Sequence, residues 1–272
     1  MEYVRKNHMK QKLDAGLPVS GMEMWLRDPR VVELMAQAGY DFFQIENEHI
    51  ANDWSEIENY TRIADGLGMT TVFRTEQCFH GQVPVNQIIK ALKCGVQVIK
   101  VPHVDNADVA KTVVQAVKYP PLGARGIATC DRSSAFVPSM GAGEAPVPIG
   151  EFIQQANAET QIWALIESVE GVENIEEIAA VDGIDVFGFG NQDYAISAGI
   201  TADSDPRIDA ARERVRKAVL DAGKHMYFQA SDQAGVIQQY EKGVRVFLMF
   251  VDLLHLNNKL REVARWIDPV TP

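Results

Sequence analysis

Residues Ile162 to Asp193 read IWALIESVEGVENIEEIAAVDGIDVFGFGNQD, and this stretch decides the fold. Two short runs, Ile162–Glu167 and Asp185–Gly190, are apolar nearly throughout, as parallel strands buried on both faces must be. The segment between them, Val169–Ala180, has helical spacing. The unit is strand, helix, strand, and each strand ends in polar residues, Glu167-Ser168 and Asn191-Gln192-Asp193.

The same alternation extends outward in both directions. Further strands are expected at Val19–Trp25, Phe42–Glu48, Thr71–Arg74, Val98–Pro102, His225–Gln229 and Val244–Phe250. Helical patterns cover Asp28–Ala38, Asp53–Leu67, Asn106–Val117, Pro206–Ala222, Asp232–Tyr240 and Asp252–Trp266. Pro29 near one start, and Gly39 and Gly68 after two ends, are the expected helix punctuation. Eight strands alternating with helices over 272 residues predict one α/β domain, a closed (β/α)8 TIM barrel, a fold that usually takes about 250 residues. An open doubly wound sheet is the alternative, weakened because no GxGxxG follows the first strand. The Pro-rich segment Tyr119–Glu159 reads as irregular. A stretch that long in a compact barrel is expected to serve function or assembly.

Lys plus Arg number 26 against 37 Asp plus Glu, a net charge of −11. That excess argues against nucleic acid or an anionic membrane as partner. The longest apolar run, Val246–Val251, is far short of the roughly 20 residues of a membrane span. Met1–Gly16 is polar and basic, unlike a signal peptide. Three widely spaced cysteines, Cys78, Cys94 and Cys130, suit a reducing cytoplasm and read as small buried hydrophobes.

In this fold the polar residues at the C-terminal ends of strands face the active-site mouth. Five such ends stand out: Glu46-Asn47-Glu48-His49, Arg74, His103, Glu167, and Gly190-Asn191-Gln192-Asp193. Glu167 and Asp193 are the candidate ligands of a hard divalent cation, which takes carboxylate oxygens. The competing reading makes Glu167 an ion-pair partner and Asp193 a helix cap. Gly188 and Gly190 would let a ligand approach the backbone, and the turn's N–H groups could hold a carboxylate. Arg74 can hold a carboxylate or an enolate oxygen, or else form an ion pair with Glu48. His49, three residues after Glu46, suits a general base oriented by a carboxylate. Glu48 is placed behind the metal ligands. The other histidines, His103 among them, read as structural.

These residues carry a resemblance. The chain from about Gly21 to Leu260 is similar to the HpcH/HpaI aldolases, metal-dependent class II pyruvate aldolases such as 4-hydroxy-2-oxoheptanedioate aldolase, 2-dehydro-3-deoxyglucarate aldolase and macrophomate synthase. The matching segments are Gly39-Tyr40-Asp41 leading to Glu48-His49, Arg74, Val101-Pro102 with Asn106-Ala107, Tyr119–Gly126 (YPPLGARG), Ile166-Glu167-Ser168 and Gly190–Asp193. The resemblance implies a lyase that cleaves or forms a 4-hydroxy-2-oxo acid through a pyruvate enolate and an aldehyde. Glu167 and Asp193 would bind Mg²⁺, Mn²⁺ or Co²⁺. Arg74, Gly190, Asn191 and Gln192 would bind the oxo acid, and His49 with Glu46 would move the 4-hydroxyl proton. It also implies a homo-oligomer, hexamer or trimer, that exchanges the helix at about Asp252–Trp266.

The chain departs from the family pattern at Glu46 (usually Asp), Leu165 (often Gln), Lys93 (often Asp), Asn191 to Ala195 (a GPADLS string elsewhere) and Phe250 (usually Gly). Phe250 and Tyr194 are expected to narrow the pocket or favour an aromatic or bulky aldehyde. Two other readings stay open. One is an acyl-CoA carbon–carbon lyase of the citrate lyase β type, for which Arg125 and Arg132 are the basic residues of the long loop. The other is a repurposed member that binds 2-oxo acids without turnover.

Overall fold

A computed structural model describes residues 3–128, 130–134, 136, 148–202 and 204–270. Eight parallel strands close into a barrel in sequence order: β1 (Val19–Met24), β2 (Phe42–Glu46), β3 (Thr70–Arg74), β4 (Val98–Val101), β5 (Gln161–Ile166), β6 (Val186–Phe189), β7 (His225–Gln229) and β8 (Val246–Val251). The helices are α1 (His8–Asp14), α2 (Pro29–Gln37), α3 (Trp54–Leu67), α4 (Val85–Lys93), α5 (Ala107–Val117), α6 (Ile149–Glu159), α7 (Val169–Glu173), α8 (Ile175–Ala179), α9 (Asn191–Ser197), α10 (Pro206–Asp221), α11 (Gln233–Glu241) and α12 (Asp252–Ala264).

Strand periodicity divides the core in two. Alternate residues such as Phe43, Ile45, Phe73, Ile99, Ala164 and Phe187 face outward and pack with the helices. Their neighbours face inward: Val19, Phe42, Val72, Val98, Trp163, Val186, Tyr227 and Val246 fill the barrel's lower half. Trp163 is wholly buried, edge-on to Phe42 at 5.4 Å and stacked on Tyr227 at 5.5 Å. Met9 and Leu13 of α1 close the bottom. That helix starts at Asn7, whose side chain accepts the Lys10 N–H at 3.0 Å and, wholly buried, donates to the Glu159 carbonyl at 3.1 Å.

Several expectations need correction. α1 lies in the N-terminal segment, where none was expected. α4 fills the β3–β4 connection. α6 lies within the segment read as irregular, and its foot at Asn157 holds the Tyr119 N–H at 2.8 Å. The prolines at 138 and 146 fall outside the described residues. The helix expected at Val169–Ala180 is two short ones meeting at Asn174, whose amide donates to the Asp105 carbonyl at 2.9 Å. β2 stops at Glu46, two residues early, because Glu46 turns back to cap the next N–H groups. Cys78 and Cys94 are buried free thiols as expected, but Cys130 is exposed. No described helix is long and apolar enough to cross a membrane.

Candidate active site

The barrel interior changes character toward the C-terminal ends of its strands. Glu23, Gln44, Glu46, Arg74, Lys100 and Glu167 all face inward there, and all are buried. They surround the floor of a cavity of about 400 Å³, whose wall includes Glu23, His49, Arg74, Lys100, Glu167 and Asp193. That volume suits a small ligand.

Glu167 directly follows β5 and is 1% exposed. Its Oε1 accepts the His103 N–H at 3.0 Å, and the His103 ring Nε2 lies 3.8 Å away. Among the described residues no Lys or Arg is ion-paired with it. Burial, with Glu48 and Asp193 adding to it against the pull of Arg74, pushes the Glu167 carboxyl up to about 8. Asp193 lies half-buried in the first turn of α9 and faces the same cavity. Both acids thus line one cavity. A buried carboxylate without a cation is costly unless protonated or metal-bound, so this donor set fits a hard divalent ion.

Gly190 is the N-cap of α9 with φ −89°, a backbone angle open to any residue. Its need for glycine is steric: an added Cβ would lie 2.5 Å from Glu167 Oε2 and 2.7 Å from Glu167 Cβ. At Gly188 an added Cβ would fall 2.0 Å from the Tyr227 ring. The glycines therefore admit protein side chains, where the sequence reading had them admit a ligand. The turn expected at Asn191-Gln192 is the first turn of α9, with both residues exposed.

Arg74 shows both behaviours weighed from sequence. It ion-pairs with Glu46 at 3.4 Å and with Glu48, and it lines the cavity. Burial opposes its charge, but Glu46, Glu48 and Glu167 outweigh burial and raise its pKa. The carboxylate against the His49 ring is Glu48, at 3.7 Å; Glu46 takes the His49 backbone N–H at 3.1 Å. The expected Glu46–His49 ring pairing is thus replaced by Glu48–His49, because β2 ends at Glu46. The donor atoms of Glu46, Glu48 and His49 lie within 4.8 Å of one another. An ion there would have to displace the Arg74 guanidinium, so that cluster fits a cation less well than Glu167 and Asp193.

Sequence reasoning missed four groups. His103 was set aside as structural, yet it holds Glu167 and has φ 54°, a left-handed angle that aims its N–H at the carboxylate. Glu23, Gln44 and Lys100 each sit mid-strand among apolar neighbours. Their inward parity was the available signal. Burial pulls the Lys100 ammonium down to about 8. Arg125 lies with Gly95 and Thr160 at the barrel's N-terminal end, and Arg132 lies against Gly95 there. There Arg125 stacks on Tyr119 at 4.6 Å and Arg132 pairs with Asp65.

A closed parallel barrel with a buried ionic cavity at the C-terminal ends of its strands defines a (β/α)8 enzyme. Residues 21–248 match the profile of the HpcH/HpaI aldolase/citrate lyase family, and the chain belongs to that family. It is therefore a lyase. A relative from Pseudomonas aeruginosa, named hydroxypyruvate/pyruvate aldolase, is 29% identical over 95% of this chain and 91% of its own. The 4-hydroxy-2-oxo-heptane-1,7-dioate aldolase of Salmonella dublin is 29% identical, over 91% of this chain and 89% of its own. The solved HpcH/HpaI aldolase from Desulfitobacterium hafniense DCB-2 superposes with a TM-score of 0.85 at 29% identity, covering 95% of this chain and 96% of that one.

Proposed function

We propose that this lyase is a divalent-metal-dependent aldolase that joins or separates a pyruvate-type 2-oxo acid and an aldehyde, with Glu167 and Asp193 holding Mg²⁺ or Mn²⁺. The carrying observation is Glu167, a 1% exposed carboxylate lining the same cavity as Asp193, with no Lys or Arg ion-paired to it among the described residues. The ion, when bound, supplies Lewis acidity toward the oxo acid. Arg74 donates to the oxygen that becomes negative in the enolate. The N–H groups of Asn191 and Gln192, at the start of α9, receive the carboxylate; the Gly190 N–H, expected to join them, donates to the Ile166 carbonyl at 3.0 Å and serves the turn instead. His49, at the mouth and 49% exposed at its side chain, takes or returns the proton of the 4-hydroxyl, with Glu48 fixing its ring. Glu46 holds Arg74 and the Glu48–His49 backbone in place.

The aldehyde enters past Trp25, Phe228, Phe250 and Leu254, which line the outer cavity. We read this as a site for an aromatic or bulky aldehyde. Phe250 supports that reading; Tyr194 packs on Phe189 at 5.2 Å instead. Small aldehydes outperforming every aromatic one would refute it. The acyl-CoA reading loses its support, since Arg125 and Arg132 are buried at the opposite end from the cavity. The buried thiols of Cys78 and Cys94 accord with a cytoplasmic setting.

The deciding experiment is calorimetry with Mn²⁺, then pyruvate, on the wild-type protein and Glu167→Gln, followed by a pyruvate-release assay. Metal and pyruvate binding with turnover in wild type, lost in Glu167→Gln, supports the assignment. Binding without turnover favours the repurposed 2-oxo acid binder. Full metal-stimulated turnover in Glu167→Gln ends the assignment.

A further inference from the structure

The cavity floor carries a charged group that the aldol chemistry above does not use. Lys100 is 2% exposed. Its Nζ donates to Gln44 Oε1 at 2.9 Å and lies 4.5 Å from the centre of the Tyr227 ring, with Glu23 Oε1 at 3.9 Å. That ring is itself fixed, stacked on Trp163 and filling the space that a Cβ at Gly188 would need. Lys100 is thereby held against the packed core of the barrel.

Gln44, wholly buried, links this ammonium to the arginine of the site. Its Nε2 donates to Glu46 Oε2 at 3.4 Å, the same oxygen that takes Arg74 Nη1 at 3.4 Å. Only one orientation of the amide satisfies both neighbours. An ammonium can only donate and a carboxylate can only accept, so the amide oxygen must face Lys100 and the amide nitrogen must face Glu46. Without the ammonium, the amide could turn over and set its oxygen against the Glu46 carboxylate.

The other Glu46 oxygen, Oε1, is taken by the N–H groups of Glu48 at 2.8 Å and His49 at 3.1 Å. Two donors compete for Oε2, at equal and long distance. A guanidinium and a carboxylate left to themselves would close to about 2.8 Å. The pull of Gln44 keeps Glu46 from closing on Arg74 and drawing the guanidinium out of the cavity. We propose that Lys100 and Gln44 are positioning residues of this site: Lys100 fixes the Gln44 amide, Gln44 holds back Glu46, and Arg74 stays aimed at the oxygen that becomes negative. This rests on the aldolase reading and adds two residues to it.

The test reads Arg74 with oxalate, a planar dianion shaped like the pyruvate enolate, which should bind best where the enolate is stabilised. Calorimetry on the Mn²⁺-loaded protein gives the affinities of oxalate and pyruvate. Gln44→Met and Lys100→Met should each weaken oxalate by about tenfold or more, the size of a hydrogen bond to a charged group, and weaken pyruvate less. In turnover, kcat should fall more than KM for pyruvate rises. Because Lys100 acts through Gln44, Lys100→Met/Gln44→Met should lose no more than the worse single variant, whereas independent effects would multiply. Should Lys100→Met misfold with Glu23 left unpaired, Lys100→Met/Glu23→Gln removes both charges together and should show the same loss. Unchanged oxalate affinity in folded variants, equal losses for the two ligands, or multiplied losses in the double variant overturn the proposal. Crystal structures of the metal-free variants read it without catalysis: the Arg74 Nη1 to Glu46 Oε2 distance should shorten from 3.4 Å to about 2.8 Å. If wild type binds neither ligand and turns nothing over, the aldolase reading fails separately, and that distance decides the positioning. Shortening supports it; an unchanged distance overturns it.

Discussion

Gly190 ties the backbone to the chemistry at the scale of one atom. Alanine at 190 is compatible with φ −89°, but its methyl would occupy the place of the Glu167 side chain. Gly190→Ala should therefore keep the fold and weaken Mn²⁺ binding by about tenfold or more, as loss of support around a metal ligand does. Calorimetry beside a thermal melt checks this, and unchanged affinity would show that Glu167 is not a ligand. The raised Glu167 carboxyl makes a second expectation. Below about 8 it holds a proton that a metal must displace, so affinity should rise with pH up to about 8 and then level. The unfolded group has its ordinary value of 4.5. Between 4.5 and about 8 the folded chain therefore binds more protons than the unfolded one, and metal-free stability should fall as pH rises. Saturating Mn²⁺ should remove that fall. Denaturant melts at pH 5 and 8, with and without metal, report both.

The charged lining of the cavity was legible where charge ended an apolar strand, as at Arg74 and Glu167, and one helical turn beyond a strand, as at Asp193. It was not legible where position depends on barrel geometry. Nothing in the spacing of Glu46, Glu48 and His49 shows that β2 ends two residues early and gives the ring to Glu48. Lys100 reads as an interruption of Val98–Val101 until the barrel closes and brings Glu23 beside it.

Among whole elements, strands were the legible ones, because burial on both faces makes them apolar nearly throughout. The missed helices had weaker marks. α4 begins after Pro84 with no side-chain cap, and α6 after Pro148 likewise. α1 has only Met9 and Leu13 as buried residues, too few to show as a stripe in so polar a segment. Those two side chains nevertheless plug the barrel, and the plug and the cavity lie at opposite ends. Leu13→Ala should cost about 2–5 kcal/mol of stability, the range for emptying a buried leucine site, while donor and metal affinities measured well below the melting temperature stay as in wild type. Denaturant unfolding gives the first quantity. A loss of metal affinity in a folded Leu13→Ala protein would show that the foot of the barrel controls its mouth.

For the whole molecule the open question is what covers α12. Its 13 residues bury one side chain, Asp252, whose carboxylate takes the N–H groups of Trp25 at 2.9 Å and Leu26 at 3.1 Å. Beyond that anchor, Leu253, Leu256, Leu260 and Val263 stand exposed at helical spacing. An isolated helix this short is marginal in water, and an apolar stripe of this kind marks an interface. We expect a second copy of the chain to cover it, in a trimer or hexamer. Leu254 on the same helix lines the cavity, so assembly would also wall the aldehyde's entrance. Sedimentation should then give a mass that is a multiple of the chain's own. Leu256→Asp/Leu260→Asp should shift it toward the monomer and raise KM for the aldehyde more than for the oxo acid. A wild-type monomer at micromolar concentration would refute the expectation. A dispersed variant with unchanged KM would separate assembly from the site.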